Sequence, residues 1–140
     1  MMPALIFVYG TLKSGHCRES ALASERYVGT AITAPKYLLY DVGTYPGMVS
    51  VEETKCSSGK KVYGELYEIS EDCLDSLDVI EGVKFGLYRR DLISLEDISV
   101  VSLPLSQEAF DDLRRKRAQA YLYNRDVGGL KECGVFWSSR

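Results

Sequence analysis

The sequence predicts an α+β domain, a small mixed β-barrel with helices packed against its outside. Short apolar segments typical of strands outnumber helical segments, and most of them are joined by short connections. The two helical segments do not alternate regularly with the strands, which excludes a doubly wound parallel sheet. The chain has 140 residues, 46% of them hydrophobic, which is enough for one core, so we expect a single domain over residues 1–140.

Eight segments have the apolar or alternating pattern of a β-strand. In chain order they are residues 5–9, 27–32, 36–42, 48–51, 61–69, 86–95, 98–103 and 119–127. The Gly-Pro-Gly punctuation of GTYPGM, residues 43–48, predicts a turn between the third and fourth strands. The polar, Ser/Gly-rich stretch at residues 55–61 predicts a hairpin loop before the fifth.

Two helices are predicted from capping residues and apolar spacing. Ser70 is a suitable N-cap for a helix over residues 71–81, in which apolar residues recur every three positions. Gly82 can end that helix in the left-handed conformation. A second helix is predicted from residue 106 to about residue 118, with acidic residues early and basic residues late, as the helix dipole favours.

Charge and cysteine content limit the classes of partner. A formal net charge of −3 argues against nucleic acid or an anionic membrane surface. No apolar stretch approaches the ~20 residues of a membrane span, and the N-terminal apolar run is too short for a signal peptide. Four scattered cysteines suit a reducing compartment, so we expect a cytoplasmic protein. Nothing in the sequence selects an oligomeric state.

The glycine-containing segment after the first strand does not fit a phosphate-binding loop. Gly10 and Gly15 have the spacing of a P-loop, but His16 and Cys17 stand where that motif needs Lys and Ser or Thr. No cysteine pair forms C-x-x-C, and the single histidine cannot complete the usual zinc ligand set. We therefore expect neither a metal nor a cofactor.

Glu81 is the leading catalytic candidate because a carboxylate at the end of a helix meets the negative end of the helix dipole. That placement is unfavourable by about 0.3–1 kcal/mol and favours the protonated form. Apolar neighbours Ile80, Phe85 and Tyr88 act in the same direction, so we expect a raised pKa and a better base near neutral pH. The alternative is an ordinary surface glutamate at a frayed helix end.

Weaker candidates come from neighbouring polar residues. Glu65 is either a second buried acid or the partner of Arg89 or Arg90. His16 and Cys17 suggest a Cys–His nucleophile, but adjacent residues rarely face one another and no orienting partner is evident.

Several blocks of the sequence resemble one known family. They are VYGTLKSG at residues 8–15, VYGELYEISEDCLDSLDVIEG at 62–82, LYRRDLI at 87–93, AYLYNRD at 120–126 and the GVFW ending. In this order they resemble the gamma-glutamylcyclotransferase-like family, most closely its gamma-glutamylamine cyclotransferase branch. Thr11 differs from the serine usual in the glutathione-specific branch.

The resemblance implies a small barrel with flanking helices that cyclises a γ-glutamyl group, releasing 5-oxoproline and a free amine, without a cofactor. It implies that Glu81 is the catalytic base. It also implies a substrate-binding loop and two aromatic residues near the pocket. These residues are Tyr9, Gly10, Thr11, Leu12, Tyr88 and Tyr123.

Two departures from the family leave alternatives open. A helix is predicted within residues 104–118, where many relatives have a short turn, and the residues beside Glu81 differ from those of the amine-specific branch. The leaving amine is therefore undetermined. One alternative is a non-catalytic binder of an acidic small molecule, and another is an enzyme that removes a γ-glutamyl protecting group in a biosynthetic pathway.

Overall fold

The computed structural model describes residues 4–9, 26–42, 46–51, 59–100, 106–125 and 127–134. Within these residues the chain forms eight strands, two α-helices and a short 3₁₀ helix, Val83–Phe85. The strands are β1 (Ala4–Val8), β2 (Arg26–Thr33), β3 (Tyr37–Asp41), β4 (Pro46–Ser50), β5 (Tyr63–Ile69), β6 (Tyr88–Val100), β7 (Arg117–Tyr123) and β8 (Lys131–Gly134). The α-helices are α1 (Glu71–Ile80) and α2 (Gln107–Arg114). Neither described helix is long and apolar enough to cross a membrane.

Five of the strands close into a barrel in the order β1-β5-β2-β6-β7, and β7 returns to β1. The closing contact is parallel, between Ile6 and Gln119, whereas the other four pairings are antiparallel. Strands β4, β3 and β8 extend the sheet from β7. The predicted α+β barrel with flanking helices is confirmed.

One edge of β7 is shared by two strands. Ile6 of β1 pairs with Gln119, whereas Met48 of β4 pairs with Leu122, three residues further along β7. Strands β1 and β4 therefore pair with successive parts of the same edge of β7 and separate from each other there. We call the place where they separate the division in the barrel wall, and the β7 backbone between the two pairings faces it.

The core has two parts, one on each face of the barrel wall. Leu5 and Phe7 of β1 belong to the cluster inside the barrel, whereas Ile6 and Val8 belong to a cluster under α1. Because both faces of β1 are buried, its sequence is a continuous apolar run rather than an alternating one. The outer cluster includes Leu74 and Leu77 of α1, and α2 packs against β1 and β7.

The ends of α1 follow the predicted capping residues. The Ser70 side chain accepts a hydrogen bond from the Cys73 backbone N–H at 3.2 Å, as an N-cap does. The helix ends at Ile80, one residue earlier than predicted, and Glu81 is its C-cap. Gly82 then adopts the left-handed conformation, with φ of 65°.

Two segments predicted as separate strands, residues 86–95 and 98–103, form one strand, β6. Its first half pairs with β7 and its second half with β2, so two different partners keep it continuous. A register shift between Ile32 and Thr33 of β2 leaves Glu96 as an extra residue in β6, between Leu95 and Asp97. The end predicted at residue 103 lies outside the described residues.

Two other predicted boundaries were wrong. The second helix ends at Arg114 rather than near residue 118, because Lys116, with φ of 53°, leaves the helical conformation and β7 begins at Arg117. The turn predicted over residues 43–48 overlaps β4, which already begins at Pro46. Residues 43–45 lie outside the described part.

Candidate active site

Glu81 lies where α1 meets the barrel, and its side chain is buried, with only 8% of the residue exposed. Its backbone N–H donates to the Leu77 carbonyl at 2.9 Å. The Leu87 N–H donates to the Gly82 carbonyl at 3.1 Å, so the chain folds back beside Glu81 before β6 begins. Glu81 is therefore held near the first residues of β6, as a buried residue rather than an exposed one at a frayed end.

Tyr9 fills the division in the barrel wall. Its buried hydroxyl donates a hydrogen bond to the backbone carbonyl of Tyr121 in β7 and accepts one from the Met48 N–H of β4 at 3.1 Å. The hydroxyl thus satisfies backbone groups at a point where the β-ladder is interrupted. As a result, Tyr9 at the end of β1 is fixed against β7 and β4.

The negative charge of Glu81 affects the pKa values of two tyrosine hydroxyls. Burial raises the pKa of Tyr9 well above its ordinary value, and the negative charge of Glu81 adds to that effect. Burial also raises the pKa of Tyr121, helped by its hydrogen bond to Asp78 and again by the charge of Glu81. Both hydroxyls are therefore protonated donors around neutral pH, and both lie within the electrostatic reach of the Glu81 carboxylate.

Tyr88 and Tyr123 form an aromatic pair that belongs to the core cluster under α1. They are directly opposite each other in the β6–β7 register, with ring centroids 5.5 Å apart in an edge-to-face arrangement. The Tyr88 hydroxyl donates to the Pro46 carbonyl at 2.6 Å. Gly47 gives the Tyr123 ring room, because a Cβ there would lie 2.7 Å from the Tyr123 Cβ.

Two residues of this site were missed by sequence reasoning. The Tyr121 hydroxyl donates to Asp78 Oδ1 at 2.6 Å, and Arg90 Nη1 lies 3.3 Å from Asp78 Oδ2. A signal for each was available. Asp78 precedes Glu81 by three residues, which places both carboxylates on one side of a helix. Tyr121 precedes Tyr123 by two residues, which places both rings on one face of a strand.

Five of the other candidate residues lie outside the described part of the structure. They are Gly10, Thr11, Leu12, His16 and Cys17. These five predictions remain untested.

Glu65 accepts a hydrogen bond from the Tyr67 hydroxyl at 3.2 Å. Of its two expected partners, Arg90 pairs with Asp78, and Arg89 contacts Asp91 and Asn124. Glu65 is half-buried. Arg90, one of the two partners expected for it, forms its ion pair with Asp78 instead.

A groove of about 300 Å³ lies apart from Glu81. Lys36, Ser50, Arg89, Asp91 and Leu122 are among the residues that line it. Arg89 alternates with Tyr88 and Arg90 along β6, so its side chain points to the opposite face of the strand. Arg89 and Asp91 therefore line the groove from the strand face opposite to the one that carries Tyr88 and Arg90.

Comparison with known proteins identifies the family. The sequence profile of the family described as gamma-glutamyl cyclotransferase, AIG2-like, matches residues 6–137. A Vibrio cholerae protein provisionally named a gamma-glutamylcyclotransferase is 40% identical over 92 residues, covering 66% of this chain and 73% of the relative. Gamma-glutamylaminecyclotransferase B of Danio rerio is 33% identical over 113 residues, covering 76% of this chain and 56% of the relative.

Solved structures support the fold. The crystal structure of an AIG2-like protein from Mus musculus covers all of this chain, with a TM-score of 0.68 and 20% identity, and 98% of that structure is matched. A uropathogenic E. coli protein gives a TM-score of 0.69 over 94% of this chain and 88% of its own, at 20% identity. At this level of identity the structural likeness concerns the barrel fold alone. With the profile match over residues 6–137, the chain belongs to the AIG2-like gamma-glutamyl cyclotransferase family.

Proposed function

We propose that this protein is a gamma-glutamyl cyclotransferase that converts a γ-glutamyl amine into 5-oxoproline and a free amine. The observation that carries the proposal is the buried carboxylate of Glu81, in a member of this family, within electrostatic reach of the hydroxyls of Tyr9 and Tyr121. The assignment to amines follows the names of two Danio rerio relatives, gamma-glutamylaminecyclotransferases A and B, at 32% and 33% identity.

The reaction needs little from the protein because the nucleophile is part of the substrate. The α-amine attacks the γ-carbonyl carbon, a five-membered ring closes, and the bond from that carbon to the leaving amine breaks. Holding the substrate folded gives such a ring closure a high effective concentration. What remains is to move one proton and to stabilise the oxyanion formed on the γ-carbonyl oxygen.

Glu81 is the proposed proton carrier. In its ionised form it takes a proton from the attacking amine, and in its protonated form it returns that proton to the departing nitrogen. The proton count balances, since one proton leaves the α-nitrogen and one reaches the leaving amine. The prediction that its surroundings raise the pKa of Glu81 stays a prediction, and it fits a group that must both accept and donate.

The binding residues fall into two kinds. The hydroxyls of Tyr9 and Tyr88 are bonded to the protein backbone, so we assign these two side chains to shaping the site. Tyr123 is partly exposed, and its ring is available for a direct contact with substrate.

The segment Gly10-Thr11-Leu12 follows Tyr9 directly in the chain and is proposed to supply backbone N–H groups to the substrate carboxylate or the oxyanion. We further infer that the chain acts as a single domain over residues 1–140. Its setting is the cytoplasm, with a small-molecule substrate and no cofactor.

Release of 5-oxoproline from a panel of γ-glutamyl compounds tests the proposal. The panel contains γ-glutamyl-ε-lysine, γ-glutamyl-alanine and glutathione, and product is followed by mass spectrometry. We expect turnover by wild type and a loss of about 10²–10⁴-fold in kcat for Glu81→Gln, which keeps the shape and removes the base. Glu65→Gln is the matched control, since it makes the same change at a half-buried carboxylate of β5, and should stay near wild type.

Two results would contradict the proposal. Binding of a panel compound by both wild type and Glu81→Gln without turnover would mean that the protein is a binder. Equal turnover by wild type and Glu81→Gln would mean that another group moves the proton. A preference for one compound would identify the leaving amine.

A further inference from the structure

Asp78 makes two contacts that join the last turn of α1 to the barrel. Its Oδ1 accepts a hydrogen bond from the Tyr121 hydroxyl at 2.6 Å, and its Oδ2 lies 3.3 Å from Arg90 Nη1. The first contact is a hydrogen bond, and the second is an ion pair that lacks hydrogen-bond geometry. The hydrogen bond therefore sets the orientation of the carboxylate, and the attraction of the guanidinium adds to it.

The two partners of Asp78 are adjacent on the barrel surface. Arg90 of β6 and Tyr121 of β7 are directly opposite each other in the antiparallel register. The carboxylate thus contacts both members of a cross-strand pair, and it ties α1 to two strands at once. Asp78 and Arg90 are each about a quarter exposed, with side-chain values of 26% and 28%, so the contact is partly shielded from solvent screening.

Arg90 also supplies a charge that α1 lacks. The last turn of this helix contains no basic residue of its own, although cations are favourable at a helix C-terminus. The guanidinium reaches this turn from the barrel through its ion pair with Asp78. Since Glu81 follows Asp78 by three residues, the turn that the barrel holds is the one that carries the proposed base.

We propose that Asp78, acting through Tyr121 and Arg90, is a positioning residue that fixes the last turn of α1 and with it the carboxylate of Glu81. Asp78 itself does not touch substrate. Its importance for catalysis rests on the function proposed above, whereas the fixing of the helix end does not. The two parts can therefore be measured separately.

The first measurement compares kcat and KM for two substitutions. Tyr121→Phe removes one hydroxyl, and Asp78→Asn keeps an acceptor for that hydroxyl but removes the charge facing Arg90. We expect kcat to fall by about tenfold to a hundredfold with KM within about threefold, because a displaced base slows the chemical step more than it weakens binding. The double variant should be no slower than the slower single variant, since both act through one link.

Each substitution has a matched control, one in another strand of the barrel and one on α1 itself. Tyr63→Phe removes a hydroxyl from an exposed tyrosine of the barrel, and Asp75→Asn removes a charge from an exposed position of α1. Both controls should keep the kcat of wild type. If Tyr121→Phe and Asp78→Asn also keep it while wild type is active, the positioning role is wrong and the proposed function stands.

The second measurement is amide hydrogen exchange in the uncomplexed protein, which needs no turnover. The Glu81 N–H donates to Leu77 at 2.9 Å and the Gly82 N–H to Val79 at 3.1 Å, at the end of α1. In Tyr121→Phe these two amides should lose about tenfold of their protection, whereas the Leu74 N–H at the start of the helix should keep its own. A general loss of stability would lower protection along the whole helix.

The outcomes separate the two proposals. If wild type converts no panel compound, the proposed function fails, and the exchange pattern alone decides whether Asp78 fixes the helix end. If exchange at Glu81 and Gly82 is unchanged in both variants, the fixing of the helix end is refuted, whatever the activity. Local loss of protection together with a fall in kcat supports the positioning role.

Discussion

Tyr9→Phe tests whether the division in the barrel wall is stabilised by one hydroxyl. The substitution keeps the ring and removes a single oxygen, which is bonded to the Tyr121 carbonyl and to the Met48 N–H at 3.1 Å. Both backbone groups belong to buried residues. Water does not readily replace the lost partner, and each unsatisfied buried group costs about 1–3 kcal/mol. With two such groups, the free energy of unfolding should fall by about 2–6 kcal/mol.

Urea unfolding followed by far-ultraviolet circular dichroism measures this loss. The midpoint should fall while the m-value stays the same, because the native surface is unchanged. Tyr63→Phe is the control, since Tyr63 is 46% exposed in the neighbouring strand β5, and it should change stability by less than about 0.5 kcal/mol. If Tyr9→Phe and Tyr63→Phe have equal midpoints, the hydroxyl does not hold the divided wall together and our account of the division is wrong.

Three further predictions concern α1 and the buried hydroxyls. Gly82→Ala should lower stability by about 1–2 kcal/mol, because φ of 65° is unfavourable for a residue with a Cβ; thermal unfolding measures it, and no change would contradict the capping role. Ser70→Ala should cost about 1 kcal/mol by removing the N-cap acceptor, whereas Ser70→Asp should restore most of it in the same assay. The raised pKa values of Tyr9 and Tyr121 mean that the unfolded state loses these protons first, so stability should fall as pH rises above the ordinary tyrosine pKa of 10.0. Parallel urea titrations at neutral and alkaline pH, with tyrosinate absorbance recorded, check the sign, and a rise in stability would contradict it.

The sequence predicts best those features that depend on neighbouring residues. The α1 helix, its Ser70 cap and its left-handed Gly82 are all confirmed, because capping and periodicity act within a few residues. The continuity of β6 was missed because it depends on pairing with β7 and β2, which lie far from it in sequence. The strand propensity of a short stretch of sequence carries no information on such distant partners.

The same distinction applies to the site. Glu81 could be singled out because its position relative to the helix end is a local property. Its relation to Tyr9, and the contact between Asp78 and Tyr121, depend on the order in which strands close the barrel. The resemblance implies that Tyr9 binds substrate, which stays a prediction, whereas the bonds of its hydroxyl to the backbone of β4 and β7 could be found only in the structure.

The hydroxyls of Tyr9 and Tyr121 have different tasks although both lie within reach of the charge of Glu81. Within the described residues the Tyr9 hydroxyl bonds to backbone groups, at a place where two strands separate, so its loss should appear mainly as a loss of stability. The Tyr121 hydroxyl bonds to a side chain on the helix that carries Glu81, so its loss should appear mainly in kcat. One tyrosine therefore stabilises the division in the barrel wall, while the other orients the helix that carries the proposed base.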